Sequence, residues 1–308
     1  MQHAHGAETE HDRIREIVVV SGKGGTGKTT LTACLAALAH RKVLADADVD
    51  AADLFILLEP TIERRWEFRS GAKATIDKGL CTQCGECAAL CRYGAISPQY
   101  AIDPIDCEGC GLCARYCPAG AITLEQRVAG EWYLSRTCYG PFVHARLGIG
   151  EENSGKLVSV VRHYARVTAE ERGYGWIIVD GPPGVGCPVI SSITGSSLVL
   201  IVTEPTLSGI HDMRRVADLA SHFGVPSAVC INKWDLNREV SADIAECCRS
   251  RRIPVVGKIP YDRTAMQALV SRRVLVEYDP RCEASIEIRA SWERVQALVQ
   301  GSASGDGE

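Results

Sequence analysis

"SGKGGTGKTT", residues Ser21 to Thr30, carries one lysine more than a phosphate-binding loop requires. Gly22, Gly24 and Gly27 satisfy G-x-G-x-x-G, and Asp46 follows at about the distance of a dinucleotide site's ribose acid. The same loop also satisfies G-x-x-x-x-G-K-[ST], ending in Lys28 and Thr29. A dinucleotide site makes no demand on the two residues after the last glycine. A triphosphate site needs both: Lys28 neutralises β- and γ-phosphate oxygens, and Thr29 offers a hydroxyl to Mg²⁺. The backbone N–H groups of Gly24, Gly25 and Thr26, with the helix start at Thr29 and Thr30, supply the remaining positive potential. Two further elements follow in the expected order. Asp180 closes the apolar run "WIIVD" ahead of "GPPG", as an Mg²⁺-side acid does. Asn232, Lys233 and Asp235 in "INKWD" stand where a purine is read. The triphosphate reading therefore displaces NAD.

Working outward, "REIVVV", "KVLAD", "GWIIVD", "SSLVLIVT" and "PSAVCIN" are short apolar runs separated by helical patterns such as "LTACLAALAH" and "GIHDMRRVADLASHFG". Strands alternating with helices predict an α/β fold, a doubly wound and mostly parallel sheet with functional loops at the strands' carboxyl ends. The chain's 308 residues, 46% hydrophobic, suffice for one large core and a small appended module. A net charge of -4 gives no reason to expect nucleic acid as the main partner. The polar start "MQHAHGAETEHDR" and the lack of a long apolar run predict a cytoplasmic protein without a membrane segment.

The alternation is interrupted by cysteines. Eight of the chain's 15 lie between Cys81 and Cys117, a density that fits metal or cluster ligation rather than a disulfide framework. "CTQCGECAALCRYGAI" (81–96) and "CEGCGLCARYCPAGAI" (107–122) agree at nine of sixteen positions, so the block is a duplicated module. The expected layout is a flexible terminus at 1–13, the α/β domain at 14–72 and 127–300, an inserted module at 73–126, and a disordered tail at 301–308. Both cysteine runs have C-x₂-C-x₂-C-x₃-C spacing, and the second ends in Pro118. Zinc is the competing ligand for paired C-x₂-C, but two linked four-cysteine runs favour iron–sulfur.

"KGGTGKTT", "DADVD" and "VDGPPG" resemble the MinD/ParA/NifH superfamily of deviant Walker-A ATPases. The resemblance implies that Lys23 reaches a partner's nucleotide across an ATP-dependent homodimer. It also implies that Asp46 and Asp48 approach Mg²⁺ and the attacking water, with Asp48 positioning that water. Asp50 and Asp53 are instead expected to cap the following helix. Asn-Lys-x-Asp is also the guanine-reading pattern; the resemblance favours ATP over GTP, with a residue near "KIPYD" packing on the base.

The cysteine runs resemble two-cluster bacterial ferredoxins, a small α+β fold that exchanges the fourth ligand between motifs. That resemblance implies one [4Fe-4S] cluster on Cys81, Cys84, Cys87 and Cys117. A second falls to Cys107, Cys110, Cys113 and Cys91. Arg92 replaces the proline after the first run.

The combination is similar to MinD-superfamily ATPases with an inserted ferredoxin domain, a match extending through "VDGPPGVGCPV" and "EENSGKLV". It implies an ATPase whose dimer closure controls electron transfer or cluster delivery to a metalloprotein under assembly. A scaffold or carrier like the Mrp/ApbC proteins and a MinD/ParA-type positioning protein are the alternatives. Cys187 is a candidate for a labile metal; otherwise it packs. Cys34, Cys230, Cys247, Cys248 and Cys282 read as small apolar residues, and Cys138 is ambiguous. Asn153, Ser154 and Lys156 either meet a ligand or partner or begin a helix. "IEIRASWERVQALVQ" reads as an amphipathic helix packed on the sheet.

Overall fold

A computed structural model describes residues 14–148 and 154–301. Residues 1–13 and 302–308, given above to flexible ends, and Asn153 lie outside the described residues.

Among the described residues nine strands form one sheet: β1 (Arg15–Ser21), β2 (Lys42–Asp46), β3 (Thr61–Ile76), β4 (Ile122–Thr137), β5 (Gly140–Leu147), β6 (Trp176–Pro183), β7 (Leu198–Thr203), β8 (Ser227–Asn232) and β9 (Val255–Ile259). Their order is β3-β4-β5-β2-β6-β1-β7-β8-β9. Every pairing from β5 through β9 is parallel. Parallel strands covered on both faces bury nearly all their side chains, which is why β1, β2 and β7 read as uninterrupted apolar runs.

The helices are α1 (Lys28–Leu38), α2 (Leu54–Leu58), α3 (Glu86–Leu90), α4 (Leu112–Arg115), α5 (Ser154–Arg172), α6 (Cys187–Ile193), α7 (Leu207–His222), α8 (Arg238–Ser250), α9 (Arg263–Val270), α10 (Leu275–Tyr278) and α11 (Glu283–Gly301). α11 buries Ile288, Trp292, Val295 and Val299 in the core shared with β1, β8 and β9. Gly301, assigned to the tail above, is still helical because it ends that packed helix.

The chain divides into two units. The first runs to Arg65, resumes over Tyr133–Ala145, and continues from Ser154. The second comprises Trp66–Trp132 and, among the described residues, 146–148. β3 and β4 run from one to the other, and neither was anticipated as a strand. The burial pattern of β3, eeeeeieBeBeiiBei, gives the reason. Most of its side chains are exposed, so the apolar signal that reveals a buried strand is missing. Trp66 and Trp132 stack at 4.0 Å within the second unit.

Candidate functional site: a carboxylate-held phosphate loop and two thiol-lined cavities

The loop from Ser21 to Lys28 leaves the carboxyl end of β1, the centre of the sheet, where α/β folds bind ligands. Gly25 (φ 80°) and Gly27 (φ 87°) adopt left-handed backbone, and a Cβ on Gly24 or Gly25 would meet only open space. The loop is thus a bare backbone cradle. Gly22 has the opposite need: a Cβ there would stand 2.2 Å from the Cβ of Asp212 on α7.

Charge is concentrated at the start of α1. The Lys28 Nζ donates to Asp180 Oδ1 at 2.9 Å and to Asp48 Oδ2 at 3.4 Å. Thr29 Oγ1 donates to Asp180 Oδ2 at 2.7 Å. Thr32, not singled out from the sequence, donates to Asp180 Oδ1 at 2.9 Å. Its signal was its place one helical turn after Lys28, on the same face. Thr30 is half-buried in the first turn.

Asp46, fully buried, accepts from the backbone N–H of Asp48 (3.1 Å) and of Leu54 (3.3 Å). Asp46, not Asp53, therefore satisfies the first turn of α2, and Asp53 makes no side-chain cap. Burial, then the charge of Asp180, push the Asp46 carboxyl well above the usual carboxylate range. Burial also raises Asp48, against the opposing pull of Lys28. For Lys28 burial works to lower the pKa, but Asp180, Asp48 and Asp46 outweigh it and hold the ammonium above its ordinary value. The hydroxyl of Thr26 is buried with no hydrogen-bond partner, a donor available to a ligand.

The purine-side residues are tied into their own chain. Asn232 Nδ2 donates to the Thr26 carbonyl at 2.8 Å, and its Oδ1 accepts from the Lys233 N–H. Gly27 is required here as well, since its Cβ would stand 2.4 Å from Asn232 Nδ2. Lys233 is left-handed (φ 54°) and its Nζ lies 2.6 Å from Glu204 Oε1. Asp235 Oδ1 accepts from the Tyr261 N–H at 2.6 Å. Lys23 is half-buried and donates to Ser208 Oγ on α7 at 3.3 Å. Glu204 and Ser208 were not foreseen, since no local pattern marks a partner that a crossover brings near.

In the second unit the cysteines separate into two groups. Cys81, Cys84, Cys87 and Cys117 line one cavity with Gly85, Tyr100 and Ile122. Cys91, Cys107, Cys110 and Cys113 line another with Ala95, Ile96, Ile102 and Leu112. Each group takes three thiols from one run and the last thiol of the other. Gly85 (φ 86°) and Gly111 (φ 76°) open α3 and α4 and turn the loops inward. The Ala121 N–H points at Cys117 Sγ, 3.3 Å away. Among the described residues, no three His, Cys, Asp or Glu side chains converge as ligands of a metal ion.

All fifteen cysteines are unpaired. Cys34, Cys230, Cys247 and Cys248 are buried and Cys282 is half-buried. Cys187 is exposed at the start of α6, so the expectation that it packs if it binds nothing does not hold. Cys138 is exposed on the β4–β5 turn, and Lys156 is exposed on α5. No described helix is long and apolar enough to cross a membrane.

The model of the CobQ/CobB/MinD/ParA nucleotide binding domain matches residues 17–275. An uncharacterised protein of Methanocaldococcus jannaschii is 31% identical over 93% of this chain and 98% of its own length. Among solved structures, the Pyrococcus furiosus cell division ATPase MinD superposes with a TM-score of 0.57 at 19% identity, covering 92% of this chain and 99% of its own. The septum site-determining protein MinD of Pyrococcus horikoshii, complexed with Mg-ADP, gives 0.57 at 18% identity, covering 92% and 97%. Both structures share the fold.

Proposed function

The chain belongs to the CobQ/CobB/MinD/ParA nucleotide-binding family and is a P-loop ATPase of the MinD/ParA type; from that premise we propose that it is an ATP-switched iron–sulfur protein. ATP binding closes a homodimer and hydrolysis reopens it. The cycle governs electron transfer or cluster delivery to a metalloprotein under assembly.

At the nucleotide, Lys28 leaves Asp180 and Asp48 and turns to the β- and γ-phosphate oxygens, while the bare glycine backbone supplies N–H donors. The Thr29 hydroxyl and Asp180, with Asp46 behind them, are hard oxygen donors that suit Mg²⁺, which supplies charge neutralisation when bound. Asp48, released from Lys28, orients the attacking water. Lys23 leaves Ser208 and enters the partner's site, so the competent charge arrangement exists only in the dimer. Adenine is favoured over guanine because a MinD of this fold is complexed with Mg-ADP, and one oxygen of Asp235 is already engaged by the Tyr261 N–H. Competition between ATP and GTP tests this; a clear GTP preference overturns it.

The observation that carries the iron–sulfur reading is the division of eight thiols around two cavities, three from one run and one from the other in each. An all-thiolate donor set suits zinc or iron–sulfur. Zinc asks four sulfurs to meet at a point; a cluster gives each thiolate its own iron, and these thiols line cavity walls. With four thiols at each cavity, a cluster has no open iron, which suits one-electron transfer. Anaerobic purification should return about eight irons per chain and a [4Fe-4S] EPR signal that changes on adding ATP. A zinc-containing, iron-free protein overturns the cluster reading. ATP turnover and acceptor reduction that proceed independently overturn the coupling.

A positioning role like that of MinD is the second reading, favoured by the shared fold. Against it, α11 spends its apolar face on the core. Sedimentation with liposomes in the presence of ATP decides between them.

A further inference from the structure

The two thiol-lined cavities differ in the charge beside them. Lys73 on β3 donates its ammonium to the carbonyl of Cys107. The loop carrying Cys107 and Cys110 is pressed against the same stretch of β3: a Cβ on Gly109 would stand 1.9 Å from the Ala72 carbonyl oxygen. Lys73 is thus a half-buried cation tied to the backbone of Cys107, whose thiol lines the Cys91, Cys107, Cys110 and Cys113 cavity. At the other cavity the corresponding neighbour is Tyr100, a neutral group whose hydroxyl donates to the Gln83 carbonyl. The remaining charged neighbours are exposed. Glu108 lines the first cavity and Glu86 the second, one carboxylate each. Arg92, Asp103 and Asp106 flank Cys91 and Cys107 from the solvent side, where water and salt screen them.

We propose that Lys73 makes the two sites unequal, so that the cluster on Cys91, Cys107, Cys110 and Cys113 has the higher reduction potential and receives the electron first. This rests on the iron–sulfur reading above. Each reduction adds one electron and one negative charge to a cluster. A cation fixed beside a cluster stabilises the reduced form more than the oxidised one, and a neutral phenol does not. An electron entering at either cluster therefore settles beside Lys73.

Stepwise reduction of the anaerobic, full-length protein with dithionite, followed by EPR, tests the inference. The wild type should show two resolved midpoints. Lys73→Gln keeps a donor for the Cys107 carbonyl but removes the charge. It should lower only the higher midpoint, by about 59 mV for a tenfold fall in the reduced-to-oxidised ratio at fixed potential. Lys73→Arg should keep the wild-type value. A Lys73→Gln protein with both midpoints unchanged, or with both moved together, overturns the proposal. So does loss of iron in Lys73→Gln, which would make Lys73 a structural tie. A wild-type protein without iron fails earlier, and that result falls on the cluster reading instead.

Discussion

In the nucleotide site Lys28, Asp48, Asp180, Thr29 and Thr32 are already bonded to one another, and a core of thirty buried apolar residues lies beneath them. The cluster that surrounds the cysteines has five buried members, Ala74, Cys87, Ala95, Cys107 and Ile122, two of them proposed ligands. One region is held by its own packing and waits for a ligand to rearrange it. The other packs around its thiols with far less apolar burial. Modules of that size ordinarily need metals or disulfides, and here the cysteines are unpaired. The contrast teaches that the same word, site, covers a place where ligand binding shifts an existing fold and one where it completes the fold.

The sharpest break of that contrast is iron removal. Chelation under reducing conditions should raise amide exchange throughout 77–121 to near the unfolded rate, while β1, β6 and β7 keep full protection. Equal loss in both units would mean they share one stability. Single variants should act on single cavities: Cys87→Ser or Cys107→Ser should each lose about half of the iron and keep the other cluster's signal.

The next largest effect belongs to Lys28. Lys28→Ala should abolish measurable nucleotide binding and turnover. It also leaves Asp180, Asp48 and Asp46 crowded without their cation, at a cost of about 3 kcal/mol seen as a lower denaturation midpoint at neutral pH. Lowering the pH should restore part of that loss, because protonating one acid relieves the crowding. Lys23→Ala stands in deliberate contrast. It should spare nucleotide binding and stability, while ATP-dependent dimerisation disappears and stimulated turnover falls about a thousandfold. Light scattering and turnover together check it; survival of both leaves Lys23 as a surface residue bonded to Ser208.

What was legible in the sequence divides along the same line. The phosphate loop, Asp180 and the strands β1, β2, β6, β7 and β8 were legible because backbone chemistry and burial on both faces leave local signatures, glycines at fixed offsets and unbroken apolar runs; β5 and β9 were not read. Partners brought by crossovers were not. Nothing near Lys233 announces Glu204, and nothing near Lys23 announces Ser208. Asp46 was expected at the magnesium side, and its service as the hydrogen-bond acceptor for α2 was not. β3 escaped because a strand with mostly exposed side chains carries no apolar run, and β4 because its four buried residues are spread along sixteen.

Asp46 supplies a smaller effect with a definite pH sign. A carboxyl raised above its unfolded value holds its proton longer in the native state, so stability falls as pH rises from about 4 toward the raised value. Asp46→Asn removes that dependence. Its melting temperature relative to wild type should therefore climb between pH 5 and 8; a constant difference would mean that Asp46 is not a titrating burden in the native protein.

The smallest effect probes the first unit where β4 and β5 lie side by side. His144 stacks between Tyr133 and Phe142 and bonds to Ser135 Oγ at 2.9 Å, and burial lowers its pKa to about 4. Its folded value lies below the unfolded one, so the unfolded state binds the extra proton in the window between. Stability is then lost as pH falls from about 6.5 toward 4. His144→Gln keeps a bonding partner for Ser135 without the titration. Between pH 7 and 5 the wild type should lose about 1 kcal/mol more than the variant, after allowance for partial solvent screening. If the two lose equally, burial does not hold the His144 pKa below its ordinary value in the native protein.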